Sequence, residues 1–192
     1  VNYAVGESQE PGSTFKLATL LAVLEDKYVT INNHLNIEGG KWQIGRRTVY
    51  DSEEHGLHDV TVKEAFEHSS NVGMAKLAYN YYYKDPYQFV SHLKRLHLDK
   101  ISDVGVIGET SPIIKTPKSK TWSATTLPWM GFGYEVLVSP MQMLMLYNAI
   151  ANNGKMMKPY LVNAIQRNGI VVQENKPVVL EKSVCSEETL KQ

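Results

Sequence analysis

Apolar residues recur at helical spacing in four stretches of this chain. They predict helices over roughly residues 13–26, 71–82, 85–96 and 139–153. Because each helix would bury one apolar face, we expect these faces to meet in a common core. The residues that we place in this core are Leu17, Leu20, Leu21, Leu24, Val72, Ala75, Leu144 and Ile150.

Polar residues mark where helices begin. Thr61 and Ser139 are each followed three places later by Glu or Gln, which is the pattern of a capping box. Asp85 precedes a proline at the first helical position. A short helix should therefore run from Thr61 to about His68, and Ser186 should start a further helix at the end of the sequence.

Two segments favour β-hairpins over helices. Asn168-Gly169 joins two β-prone runs and is a strong hairpin signal. Residues 34–50 contain a Gly-Gly break between short β-prone runs, and we interpret them as a loose hairpin. Residues 102–138 are rich in Gly, Pro, Ser and Thr and predict a long ordered loop.

Composition and charge limit the class of protein. The 192 residues are 43% hydrophobic and 21% charged, which is typical of one soluble globular domain. Lys+Arg and Asp+Glu both number 20, so no basic excess supports binding to nucleic acid or an anionic membrane. Cys185 is the single cysteine and excludes an internal disulfide. Because the first residue is Val1 and not Met, we expect the sequence to be a piece of a longer chain.

Ser13 and Lys16 form a Ser-x-x-Lys pattern at the start of the first predicted helix. Ser13 could simply cap this helix, since serine is a preferred N-cap. Alternatively, a neutral Lys16 amine one turn further along could take the proton of an attacking Ser13 hydroxyl. The pattern alone is not specific, because Ser91 and Lys94 also match it inside a predicted helix, where we take the match as chance.

Ser69 and Asn71 form a Ser-x-Asn pattern at the junction of two predicted helices. Either Ser69 or Ser70 could cap the second helix. Side chains at such a junction can also point into a cleft, so the pattern is a second candidate for the same site.

Three stretches carry a family resemblance: "EPGSTFK", "SSNVGMAKLA" and "FGYEVLVSPMQMLMLYNAIANNGKMMKPYLV". In their order and spacing they resemble the transpeptidase domain of penicillin-binding proteins, in particular the monofunctional class B type. The resemblance implies that Ser13 is the acylated nucleophile, that Lys16 is its base and that Ser69 relays a proton to the leaving amine. It implies that Asn71 binds substrate and helps to hold Lys16.

The family's third motif, Lys-Thr/Ser-Gly, does not occur in this sequence. Lys115-Thr116 is followed by Pro, Lys120-Thr121 by Trp, and Lys118-Ser119 by Lys. In the family this motif lies on a strand beyond the region that matches Ser186, so we expect residues 1–192 to be a truncated, single partial transpeptidase domain. The resemblance then implies a predominantly helical α+β fragment with one or two hairpins, lacking most of the family's central five-stranded sheet.

The resemblance also implies a function. The parent protein would be a serine D,D-transpeptidase that cross-links peptidoglycan stem peptides ending in D-Ala-D-Ala and is acylated by β-lactams. It would act at the extracytoplasmic, periplasmic face of the bacterial inner membrane, with cell-wall synthesis proteins as partners and an anchor that this chain lacks. The resemblance implies that no metal or organic cofactor is needed. The six histidines are scattered without the spacing of a zinc site, and we expect His55 and His58 to be surface or loop residues.

Two alternatives use the same motifs. A β-lactam sensor or non-enzymatic subunit of a cell-wall complex would also be acylated. A β-lactamase or D,D-carboxypeptidase would need a base for water, and Glu109 is the one acid near the middle loop, in a different local pattern. We expect the isolated chain itself to be inactive without the third motif.

Overall fold

Seven α-helices and ten short strands make up the computed structural model, which describes residues 2–192. The helices are α1 (Lys16–Glu25), α2 (Val62–Glu67), α3 (Asn71–Tyr82), α4 (Pro86–Arg95), α5 (Thr126–Met130), α6 (Pro140–Ala151) and α7 (Glu187–Lys191). The strands are β1 (His34–Asn36), β2 (Lys41–Ile44), β3 (Arg47–Tyr50), β4 (Asp59–Thr61), β5 (Ile113–Ile114), β6 (Val136–Leu137), β7 (Met156–Met157), β8 (Ala164–Arg167), β9 (Ile170–Glu174) and β10 (Val179–Glu181). Two 3-10 turns, Gly12–Phe15 and Glu38–Gly40, precede α1 and β2. The fold class is α+β, as the resemblance implies.

Helix α3 lies at the centre of the core and packs against α1, α4 and α5. Helix α1 is buried on almost every side, because Ala18 and Val23 are as inaccessible to solvent as the apolar residues of α3. The sequence pattern predicted a one-sided apolar face for α1, whereas the helix lies inside the molecule.

The core prediction is confirmed for most of its members and wrong for one. Leu20, Leu21, Leu24, Val72 and Ala75 are buried, and Leu17 and Ile150 are partly buried. Leu144 is 52% exposed. Helix α6 is apolar nearly all round, so spacing alone could not identify its inward face, which carries Gln142, Met145, Leu146 and Ala149.

The predicted helix starts are confirmed by hydrogen bonds. Both capping boxes are formed, and at the first the Glu64 N–H donates to Thr61 Oγ1 over 3.1 Å. Asp85 and Ser186 cap α4 and α7. The first helix differs in detail, because its opening turn at Gly12–Phe15 is a 3-10 turn and the α-helix begins at Lys16.

The strands form five two-stranded antiparallel sheets within residues 2–192. β2 pairs with β3 and β8 with β9 through short turns, which are the one or two hairpins that we expected. The other pairs, β1–β4, β5–β6 and β7–β10, join strands that are distant in sequence. Among residues 2–192, no helix has both the length and the apolar character needed to cross a bilayer.

The hairpin predicted over 34–50 is smaller and turns at another place. Its turn lies at Gly45, with φ at +59°, while Gly39 and Gly40 belong to the 3-10 turn before β2. β1 pairs with β4 instead of with β2. Glycine signals a positive φ but not the kind of turn, so the Gly-Gly break was assigned wrongly.

The long segment 102–138 is mostly loop, as predicted, and contains only β5, α5 and β6. Two contacts attach its end to the start of α1. Thr19 Oγ1 donates to the Gly131 carbonyl over 2.8 Å, and the Gly12 N–H donates to the Gly133 carbonyl over 3.1 Å. Segment 131–133 therefore supports the turn that carries Ser13.

Candidate active site

The Lys16 side chain connects the first two sequence motifs. Its residue is only 1% exposed, although lysine is rarely buried without a partner. Nζ donates to Ser69 Oγ over 3.0 Å and also to the Ser69 carbonyl oxygen. The fold thus brings the first turn of α1 against the α2–α3 junction, which is 53 residues away in sequence.

Burial lowers the pKa of Lys16 from 10.5 to about 8, and the negative charge of Asp51 partly opposes this shift. At pH 7 about one-tenth of such amines would be neutral, against fewer than about one in a thousand for an unperturbed lysine. The site therefore supplies much of the lowered pKa that a lysine base requires.

Ser13 lies in the 3-10 turn just before α1 and is exposed. Its carbonyl accepts the Lys16 backbone N–H, which closes this turn. Gly12 precedes it with φ at +56°, a conformation that glycine adopts without strain. No side-chain hydrogen bond caps this turn, so the structure does not use Ser13 as the N-cap that the simpler interpretation proposed.

Ser69 occupies the junction between α2 and α3 with an unusual backbone. Its φ is +52°, a left-handed conformation that is uncommon for a residue with a side chain. The Ser69 N–H donates to the Phe66 carbonyl over 2.9 Å, which ends α2. The cap of α3 is Ser70, whose Oγ accepts the Gly73 N–H over 2.8 Å. Ser69 is therefore left to bind Lys16.

Asn71 begins α3 and is attached to strand β3. Its Nδ2 donates to the Tyr50 carbonyl over 2.8 Å. The hydrogen bonds within residues 2–192 join Lys16 to Ser69, but they join neither the Ser13 nor the Asn71 side chain to that pair. Sites without substrate are often looser than working sites, so this arrangement is compatible with one cleft.

Sequence reasoning missed Asp51, which follows β3 directly. Its side chain is 3% exposed and accepts hydrogen bonds from Ser70 Oγ, the Val72 N–H and His55 Nε2. His55 lies in a loop, in agreement with its prediction as a surface or loop residue, and its side chain is 15% exposed. An acid directly after a short β-prone run, Arg47–Tyr50, was the sequence signal available.

A polar cleft of about 440 Å³ adjoins this junction and is lined by Asp51, Ser52, Glu53, His55, Glu67, His68 and Ser69. A larger cavity of about 520 Å³ lies between segments 103–106 and 158–162 and is lined by none of the four motif residues. Within residues 2–192, no three His, Cys, Asp or Glu side chains converge as a metal site would require.

Glu109 does not have the environment of a hydrolytic base. Its carboxylate accepts hydrogen bonds from Ser102 Oγ at 2.7 Å, the Asp103 N–H at 3.0 Å and the Val104 N–H at 2.9 Å. These bonds close the loop that begins at Ser102. Lys115, in one of the incomplete third-motif matches, pairs with Glu135.

The family model described as "Penicillin binding protein transpeptidase domain" matches residues 1–192. The chain belongs to this family. It is 30% identical over 177 residues to penicillin-binding protein PbpB of Mycobacterium tuberculosis, covering 92% of this chain and 25% of that protein. It is 28% identical over 153 residues to peptidoglycan D,D-transpeptidase FtsI of Escherichia coli K12, covering 80% of this chain and 24% of that protein. The chain thus spans about a quarter of the length of these curated relatives.

A solved structure agrees with this assignment. Penicillin-binding protein 3 of Mycobacterium tuberculosis, complexed with aztreonam, superposes with a TM-score of 0.83 at 29% identity. The match covers 99% of this chain and 41% of that one. The same protein is also known in complex with ampicillin. The arrangement of helices and strands is therefore that of a class B penicillin-binding protein, as the motifs indicated.

Proposed function

We propose that these residues carry the nucleophile and base of a serine D,D-transpeptidase. In this proposal Ser13 is acylated, Lys16 takes its proton, Ser69 relays a proton to the leaving amine and Asn71 binds substrate. The observation that carries the proposal is the contact between buried Lys16 and Ser69. It joins Ser-x-x-Lys to Ser-x-Asn across the fold.

The reaction has two acyl transfers. Ser13 Oγ attacks the carbonyl carbon of the penultimate D-Ala and forms an ester, the peptide bond to the last D-Ala breaks, and that residue leaves with the proton that Ser13 lost. An amine of a second stem peptide then attacks the ester, forms the cross-link and returns a proton to Ser13. The backbone N–H of Ser13 at the helix start is one available donor for the oxyanion.

A β-lactam would enter the same first step, because its strained amide also acylates a serine. Penicillin-binding protein 3 of Mycobacterium tuberculosis has been solved in complex with aztreonam and with ampicillin. This supports the proposal that β-lactams and stem peptides share the site in the present protein. We further propose an extracytoplasmic location and cell-wall synthesis proteins as partners, since FtsI relatives are named peptidoglycan D,D-transpeptidases.

Labelled penicillin tests the proposal in the full-length protein that carries these residues. We expect one covalent adduct per protein, mapped by peptide mass spectrometry to Ser13 and lost in Ser13→Ala. Ser91→Ala is the matched control, because Ser91 has a lysine three places later but donates to Gln88 from within α4. An adduct that persists in Ser13→Ala would refute the assignment.

A second assay separates the proposed enzyme from the alternatives that share its first step. Purified protein is incubated with a stem-peptide donor and an amine acceptor. Transfer to the acceptor supports a transpeptidase. Rapid release by water would indicate a carboxypeptidase or β-lactamase, although Glu109 is already occupied by three hydrogen bonds. A stable adduct with no turnover would indicate a sensor.

A further inference from the structure

The side-chain oxygens of Asp51 accept hydrogen bonds from three neighbouring residues. Ser70 Oγ lies 3.1 Å from Oδ1 and 2.9 Å from Oδ2, the Val72 N–H lies 2.8 Å from Oδ1, and His55 Nε2 lies 2.8 Å from Oδ2. Ser70 Oγ accepts the Gly73 N–H and donates its own proton to Asp51. The Asp51 side chain therefore accepts hydrogen bonds from three neighbouring groups.

The hydrogen bonds of His55 determine its tautomer. The Leu57 N–H donates to His55 Nδ1 over 3.1 Å, and a backbone N–H can only donate. Nδ1 must therefore be the accepting nitrogen of a neutral ring, and Nε2 carries the proton that is donated to Asp51. This tautomer satisfies both neighbours, since Nδ1 accepts from Leu57 and Nε2 donates to Asp51.

The backbone at Gly40 lies directly against the side chains of Asp51 and His55. Gly40 has φ at +81°, and a Cβ there would lie 3.2 Å from Asp51 Cβ and 3.2 Å from the His55 ring. The Gly40 carbonyl accepts the Asp51 N–H over 2.8 Å. The Gly-Gly break of the sequence therefore leaves room for the two side chains.

We propose that Asp51, held by His55, is a positioning residue that orients the Ser69–Asn71 junction against Lys16. Asp51 binds the residue after Ser69 and the residue after Asn71, while the adjacent Tyr50 carbonyl binds Asn71 itself. These contacts hold the start of α3 at the three residues that directly follow the left-handed Ser69. Asp51 touches no reacting atom in the proposed chemistry, and the inference rests on the function proposed above.

Replacing Asp51 should affect the rate of acylation in two opposite ways. Asp51 is the charged group that acts on Lys16, His55 faces Asp51, and Glu53, Glu67 and His68 line the same cleft. Removing the Asp51 charge should make Lys16 easier to deprotonate, which alone would favour acylation at pH 7. Losing the positioning contacts should slow acylation. A purely electrostatic role and a positioning role therefore predict opposite changes in rate.

The test uses Asp51→Asn with two readouts. In this 192-residue chain, ¹³Cε-lysine NMR with Lys16→Met for assignment measures the Lys16 titration midpoint, which needs no activity. We expect this midpoint to fall by roughly half a pH unit or more. In the full-length protein we expect acylation by penicillin at pH 7 to slow about tenfold or more. If Asp51→Asn is acylated as fast as the unsubstituted full-length protein, or faster, the positioning role would be overturned.

His55 provides a second pair of variants should Asp51→Asn not fold. His55→Gln keeps a donor near the position of Nε2 and should retain most of the acylation rate, whereas His55→Ala should lose about tenfold. His58→Ala, an exposed neighbour, is the control and should leave the rate unchanged. Equal rates for His55→Gln and His55→Ala would contradict the inference. If the parent protein itself is not acylated at Ser13, the proposed function fails, and the Lys16 midpoint still tests the placement of Asp51.

Discussion

At the scale of single residues, the site is built around a buried lysine. A buried lysine charge is costly unless it is compensated, and here burial lowers the Lys16 pKa to about 8, so the amine is still mostly charged at pH 7. Two hydrogen bonds to Ser69 occupy the amine without neutralising it. The residue that would act as the base is therefore a cost to folding at neutral pH.

We predict that Lys16→Met stabilises this chain at pH 7. The folded pKa of about 8 lies below the unfolded value of 10.5, so the unfolded chain binds more protons between these values. The cost is fully present below pH 8 and disappears as pH rises toward 10.5. After allowance for the lost hydrogen bonds, we expect a gain of about 1–3 kcal/mol in free energy of unfolding.

Chemical denaturation at pH 7, 8, 9 and 10 measures this effect. The advantage of Lys16→Met should shrink steadily over the series. Lys94→Met is the matched control, since Lys94 is the exposed lysine of the second Ser-x-x-Lys pattern and should change stability by less than about 0.5 kcal/mol at every pH. A Lys16→Met variant that is less stable at pH 7 would show that the Ser69 contacts outweigh burial.

At the scale of elements, helices α1 and α6 show why apolar character alone does not identify a packed face. Leu24 of α1 is 4% exposed, while about half of the Leu144 surface on α6 is exposed to solvent. Both residues fit helical apolar spacing equally well in the sequence. The neighbours of each helix, and not its own pattern, decide which side is buried.

Replacing each leucine by alanine should therefore change the free energy of unfolding by different amounts. Leu24→Ala should lower the free energy of unfolding by about 2–5 kcal/mol, because it leaves a cavity among packed helices. Leu144→Ala should change it by less than about 0.5 kcal/mol. Thermal unfolding at one pH compares the two, with roughly 2–4 °C expected per kcal/mol for a chain of this size. Similar losses for both would mean that α6 packs on its other face.

At Gly133, the backbone of segment 131–133 comes close to the backbone of Gly12. Its φ is +88°, and a Cβ there would lie 2.1 Å from the Gly12 carbonyl oxygen. Gly105 has nearly the same φ, +91°, with no atom within 4 Å of a Cβ. Gly105→Ala should cost about 1 kcal/mol from backbone strain alone.

Gly133→Ala should cost several kcal/mol more than Gly105→Ala, because the Gly12 backbone must move. This displacement also shifts Ser13, so penicillin labelling of the full-length protein should fall together with stability. Measuring both variants by denaturation isolates the steric effect from the strain. Equal losses would show that segment 131–133 does not hold the Ser13 turn.

At the scale of the whole molecule, the described residues contain two of the family's three motifs. The Lys-Thr/Ser-Gly pattern is absent from the sequence, and within residues 2–192 the strands form only two-stranded sheets. In the family the third motif supplies a second oxyanion donor and a cation near Lys16. Removing one oxyanion donor typically costs about a hundred- to a thousandfold in rate.

We therefore predict that this 192-residue chain forms no stable adduct with penicillin at neutral pH. Intact-mass spectrometry after incubation with labelled penicillin is the measurement, with Ser13→Ala in parallel and the full-length protein as positive control. Rapid stoichiometric labelling of the chain at Ser13 would show that two motifs are sufficient for acylation.

The sequence by itself determined the local features of this protein. Capping boxes, the Asn168-Gly169 hairpin and the family motifs depend on residues a few positions apart, and they could be identified without a structure. The spacing of Ser13 and Lys16 likewise placed them one turn apart on a helix start.

Only the tertiary structure decided which groups meet across the chain. The contacts of Lys16 with Ser69, of Asp51 with His55 and Ser70, and of Gly12 with Gly133 join residues whose local sequence carries no sign of the partner. The inward face of α6 and the lowered pKa of Lys16 depend in the same way on what surrounds them. Burial and long-range packing are properties of the assembled core, and a local pattern cannot specify them.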